Sequence, residues 1–121
     1  MTTRFFLSDS GDVAFEAVWV DVGVLERLWP AQYSVPSWEG PPRDNWFMQP
    51  KTHQGLRVPL LALSASKDDD PVTFLNGRHR SRWMISQGHY EIPVGIASHQ
   101  IALGKQMGLI TRIAQPGDVL P

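Results

Sequence analysis

The sequence predicts a single α+β domain, a small mixed β-sheet flanked by helices. Three observations carry that prediction. The chain has 121 residues, 42% of them apolar, which suits one buried core and is too short for two ordinary domains. Short runs of β-branched and aromatic residues alternate with stretches whose apolar residues recur at i, i+3 and i+4. There is no cysteine, which excludes a disulfide scaffold, a thiolate zinc site and a cysteine nucleophile.

Charge and hydropathy narrow the class further. Charged residues make up 19% of the chain, below the usual share of about a quarter, which argues against a disordered or low-complexity polymer. Eleven Lys and Arg against twelve Asp and Glu leave a net charge of −1, so the whole-chain balance does not favour general nucleic-acid binding. The opening residues lack the run of roughly 7–15 apolar residues of a secretory signal. No stretch approaches the roughly 20 needed to span a membrane. The expectation is a cytoplasmic protein with no membrane partner.

The elements follow in order. Residues 13–22 read as a strand, with Val13, Phe15, Ala17 and Trp19 on one parity and Val18, Val20 and Val22 on the other. The period then changes: Leu25, Leu28 and Trp29 define a helical face, Asp21 is the expected N-cap, and Pro30 ends the helix. Residues 30–57 form a loop rich in Pro and aromatic residues. Such a loop is either a binding segment or one pinned to the core by its aromatics. Residues 58–63 read as a buried strand, 66–71 as a polar turn, and 72–75 as the next strand. The three aspartates of that turn lack the spacing of a calcium loop. Residues 78–87 read as a helix closed by Gly88, and 92–96 as a last strand. Pro93 there predicts a sheet edge or the first position of a ladder. Ser98 is expected to cap a final helix running to Leu109, with Ala102, Leu103 and Met107 facing inward, and residues 111–121 to form a C-terminal tail.

The densest polar cluster is Asn76-Gly77-Arg78-His79-Arg80-Ser81-Arg82. It follows a strand and opens a helix, where unpaired N–H groups and about half a positive charge gather. Gly77 lets a ligand approach the backbone, and arginine suits forked contact with phosphate oxygens. The cluster therefore predicts an anion site, most naturally for phosphate. A plainer alternative pairs these arginines with Asp68, Asp69 or Asp70 across the turn. The histidines show no His-x-x-x-His or Glu-x-x-His spacing, so no metal site is expected.

The run from Val72 through Arg80, the Gly88 that follows, and Ile92-Pro93-Val94 together resemble the core signature of the ParB/sulfiredoxin superfamily. Gly55 and Val58-Pro59-Leu60-Leu61 match the strand that precedes the box, and the similarity covers roughly residues 50–110. Trp83 within the helix, and Trp19-Val20-Asp21-Val22 with Leu25 and Trp29, are most similar to the plasmid fertility inhibition factors, the Osa-like group.

That resemblance implies a nucleotide-binding fold that takes ATP or another nucleotide, with Mg2+ as an accompanying ion and ATPase or DNase activity. It implies inhibition of conjugative DNA transfer through a type IV secretion system. Carried onto this chain, Gly77, Arg78, His79, Arg80 and Lys51 would bind the nucleotide phosphates, with His79 and Arg80 catalytic. Arg78 stands where sulfiredoxins carry their catalytic cysteine, so sulfinic-acid reduction is excluded. For a metal-dependent nuclease, Glu91, Asp44 and Asp118 are carboxylate candidates by elimination. The competing reading is a non-catalytic module, or a phage or chromosomal ParB-like domain. Such a module would dock on DNA or on a secretion coupling protein through exposed Trp38, Trp46 and Phe47.

Overall fold

The computed structural model describes residues 3–7, 11–29, 41–43, 46 and 55–121. Two sheets organise them, and the larger has five strands. They are β2 (Phe15–Asp21), β4 (Leu60–Leu63), β5 (Val72–Asn76), β6 (Glu91–Ala97) and β7 (Ile110–Ile113), in the order β5-β4-β6-β2-β7. The β4–β6 pair is parallel and the other pairs are antiparallel, so the sheet is mixed as expected. The smaller sheet has the order β3-β1-β8, from β1 (Thr3–Phe6), β3 (Leu56–Arg57) and β8 (Val119–Leu120). Three helices accompany the sheets among the described residues: α1 (Val22–Leu28), α2 (Arg78–Ser86) and α3 (Ile101–Gln106).

The two apolar parities of β2 have a simple cause. Val18, Trp19 and Val20 are all buried, because both faces of the strand are covered. Trp19 meets Phe5 of β1 edge-to-face, with ring centroids 5.3 Å apart. Asp21 then caps α1 as predicted, its Oδ1 accepting the Val24 N–H at 2.9 Å. The polar turn at 66–71 joins β4 to β5 as a hairpin. The chain next enters α2, which ends as expected at Gly88, in the left-handed region with φ 86°.

Four expectations are corrected. Strand β6 is neither last nor at an edge: it lies between β4 and β2. Pro93 is tolerated because Gly95, two residues on, donates its N–H to the Pro59 carbonyl at 2.7 Å. The Pro93 nitrogen therefore points to the same flank, before the β4 ladder begins, and no bond is lost. Ser98 caps nothing by its side chain. It opens a 3-10 turn, Ser98–Gln100, before α3, which stops at Gln106. Leu103 and Met107 pack against the core, but Ala102 is exposed and the buried position is Gly104. Residues 111–121 are not a tail, since they complete β7 and supply β8. No described helix is long and apolar enough to cross a membrane.

Candidate functional site

The start of α2 forms the floor of a cavity of about 290 Å³. The local sequence explains its shape. Asn76 ends β5, and Gly77 turns the chain with φ 86°, a conformation that disfavours a Cβ. Space gives the same answer: a Cβ on Gly77 would lie 2.7 Å from the Arg80 guanidinium and 2.7 Å from Pro59. Having no side chain, Gly77 cannot cap α2, and no side-chain cap is present. The first turn therefore presents its amides and its dipole to the cavity.

Arg78, His79 and Arg80 border this cavity together with Arg43 and Arg57. Four arginines thus line it from three stretches of chain, with no carboxylate among the described lining residues. Arg78 is exposed at the rim, while Arg80 is 7% exposed. One arm of the Arg80 fork donates to Asn76 Oδ1 at 2.8 Å and, at the limit of a hydrogen bond, to the Val58 carbonyl at 3.5 Å. Asn76 Oδ1 also accepts the Leu60 N–H at 3.2 Å, so the start of β4 anchors the fork. The Arg80 Nε and the Arg57 Nε are buried without a hydrogen-bond partner.

Burial, and then repulsion from the Arg57 guanidinium, push the Arg80 pKa down to about 10. It remains a cation at neutral pH. Burial, and then the Arg43 and Arg78 guanidiniums, hold His79 below the usual histidine range. The donor set suits an oxyanion with several oxygens. It does not fit a resident Mg2+, which guanidiniums repel and which needs oxygen ligands. Among the described residues no group of three or more His, Asp or Glu is placed to hold a metal ion.

The structure therefore brings Gly77, Arg78, His79 and Arg80 together at one cavity, while other expected site residues fall elsewhere. Arg82 belongs to the far flank of α2: it pairs with Glu26 at 3.1 Å and stacks 3.9 Å over the Trp29 ring. Its partner is thus not one of the three aspartates of the 66–71 turn. Trp46 is buried, 6.3 Å from Trp83 between ring centroids, so it is no exposed docking anchor. Lys51, Trp38, Phe47 and Asp44 lie outside the described residues.

Glu91 and Asp118 are remote from the cavity and committed to one network around Arg112. Hydrogen bonds from Arg112 and Thr111 hold the Glu91 carboxyl below the usual carboxylate range. Those from the Gln115 N–H and the Trp19 indole do the same for Asp118.

Sequence reasoning missed Arg43 and Arg57. Arg57 carries one local signal, a cation set between Leu56 and Val58, both fully buried. Arg43 carries none, since only the tertiary fold brings it to α2.

Comparison with protein-family models, with curated proteins and with solved structures finds no match for this chain.

Proposed function

We propose that the protein binds a phosphate-bearing ligand, a nucleotide in the first instance, at the mouth of α2. One observation carries this reading: the Arg80 guanidinium is buried beside a second guanidinium, with no carboxylate among the described residues that line the same cavity. Burying a cation without a counter-charge costs stability, and an anionic ligand removes that cost. Phosphate fits the forked donors and the helix terminus together.

The similarity of the Gly77–Arg80 box to the ParB/sulfiredoxin superfamily points the same way. It extends the proposal to a cytoplasmic fertility inhibition factor acting against conjugative DNA transfer. In that role, hydrolysis of a phosphoanhydride or phosphodiester would use Arg80 to stabilise developing charge and His79 as acid or base. Isothermal titration with ATP tests the binding step. Wild-type protein gives saturable heat, and Arg80→Ala and His79→Ala each abolish it. Absence of heat and of any chemical-shift change with wild-type protein refutes the reading.

A second reading, binding without catalysis, is favoured by the position of Glu91 and Asp118 in the Arg112 network. Such a module docks on DNA or on a secretion coupling protein with its phosphate site retained. Hydrolysis of labelled ATP or linear DNA separates the two, with Arg80→Ala as the control for contaminating enzymes.

A further inference from the structure

We propose that β5 is a pairing edge for a second copy of this chain, which adds its own β5 antiparallel about a two-fold axis at Phe74. The inference does not depend on the phosphate-binding reading above.

The main chain of β5 is the first ground. Among the described residues β5 lies at one edge of the larger sheet and β7 at the other. The Ser64 N–H donates to the Pro71 carbonyl at 3.1 Å, which sets the alternation along the hairpin. Pro71 and Thr73 therefore turn their main-chain groups toward β4, and Val72 and Phe74 turn theirs outward. The nitrogen of Pro71 faces β4, so this proline does not guard the outer flank. The register irregularity of the hairpin falls at Leu60, past these residues. Val72-Thr73-Phe74-Leu75-Asn76 holds no charge, the usual device that keeps an edge from pairing, whereas β7 holds Arg112.

Self-complementarity is the second ground and names the occupant. With Phe74 set against its counterpart, the two residues exchange both main-chain hydrogen bonds. Thr73 of each copy then falls opposite Leu75 of the other, with the two Leu75 side chains on one diagonal. Leu75 is 54% exposed, and this pairing covers it twice. The same register sets residue 70 level with residue 78. The 66–71 turn of each copy, with exposed Asp68 and Asp69, thus meets the start of α2 in the other, with exposed Arg78. Asp70 is engaged within its own chain and is not counted. Within one chain these charges stand at opposite ends of a five-residue strand, about 17 Å long, too far apart to pair. A two-fold axis brings them together twice, as a self-matching interface requires.

One added strand is a small contact, so the dimer should be transient, with a Kd between about 10 μM and 1 mM. The test is sedimentation equilibrium of the full chain, up to about 1 mM, in buffer free of phosphate and sulfate, with amide hydrogen exchange followed by NMR. Exchange at Val72 and Phe74 should slow as concentration rises. Leu75→Lys, at an exposed position, sets two cations near the axis and should weaken the dimer at least about tenfold. Thermal melts in dilute solution check that this variant folds. Arg78→Asp and Asp68→Arg should each weaken the dimer about threefold or more, and the doubly reversed chain should recover most of the loss.

Three results overturn the inference. One is a chain that stays monomeric at about 1 mM, which leaves β5 to a different partner or to none. Another is a folded Leu75→Lys variant that dimerises like the wild type, which moves the interface to another surface. The third is a dimer in which Val72 and Phe74 exchange as fast as in the monomer.

Discussion

Arg80 and Arg112 show the same side chain in opposite settings. Arg112 is about half exposed, yet it is fully engaged. It bonds Glu91 at 2.8 Å and Asp118 at 3.4 Å, and stacks 4.5 Å over the Trp19 ring. Arg80 is 7% exposed, and its nearest charged influence is another guanidinium. Folded proteins normally do the reverse and pair a charge more completely as they bury it more deeply. Around Arg112 the chain supplies its own counter-charges, and the arginine ties β6, β2 and β7 to the loop before β8. Around Arg80 no described lining residue supplies one, which is the ground for proposing an anionic ligand there. The neighbouring cavities teach the same lesson. The one beside Arg112 is larger, about 490 Å³, but its charges are already matched from within. Electrostatic imbalance, more than size, marks the smaller cavity as the site.

The strongest way to break this contrast acts on the backbone under Arg80. Gly77→Ala places a methyl group against the Arg80 guanidinium and Pro59, at a φ that disfavours it. It should cost about 2–4 kcal/mol of stability and eliminate phosphate binding. Gly88→Ala is the matched control. Its φ is also 86°, but no atom lies within 4 Å of the added Cβ. It should cost about 1 kcal/mol and leave the anion titration unchanged. Thermal melts with calorimetry on both variants decide the point. Equal loss of binding in the two would mean that the site depends on general stability rather than on the shape of this turn.

Replacing each arginine by methionine sharpens the contrast. Without ligand, Arg80→Met removes an uncompensated buried cation and should leave the melting temperature unchanged or raised. It should also abolish the stabilisation that saturating phosphate gives the wild type, about 2.7 kcal/mol at a hundredfold excess over Kd. Arg112→Met should lower stability by about 1 kcal/mol, through loss of the ion pairs and the stacking on Trp19, and keep the ligand effect. A lower melting temperature for Arg80→Met would make Arg80 a structural strut, and the contrast would fail.

How far the sequence carried these conclusions depends on the range of the interactions. The cap at Asp21, the turn at Gly77, the helix from Arg78 and the stop at Gly88 rest on neighbours within a few residues, and all were legible. Strands β1, β3 and β8 were not. They are short, and each is defined by pairing with a distant segment, as in Phe5 with Leu56 and Thr3 with Leu120. The site divides in the same way. Gly77, Arg78, His79 and Arg80 lie on one turn and one helix, whereas Arg43 and Arg57 reach the cavity only through the fold. The misassigned Pro93 shows the limit of a local rule. Proline forbids a ladder bond, but only the register of β4 against β6 reveals that the pairing on that flank begins past it, at Gly95.

The smallest expected effect concerns protons and again separates the two regions. Around Arg112, the depressed Glu91 and Asp118 contribute stability that is present at neutral pH. It is lost only as pH falls below the usual carboxylate range, near 4, and through their folded values. His79 behaves differently. Its folded pKa lies below the usual histidine value of about 6.5, so without ligand the unfolded chain binds protons first. Stability should then fall as pH drops below about 6.5. A bound oxyanion opposes the field of Arg43 and Arg78, and in its presence protonation of His79 becomes favourable. Binding therefore takes up protons, and affinity increases as pH falls from 7 to about 5.5. Sulfate is the suitable probe, because it does not titrate in that window. Its affinity should rise roughly two- to fivefold, the size expected for one partly exposed charge pair. The rise should vanish in His79→Gln, because glutamine keeps a polar side chain but cannot gain the charge. An equal rise in wild type and variant would remove His79 from the site and leave the four arginines to account for the anion alone.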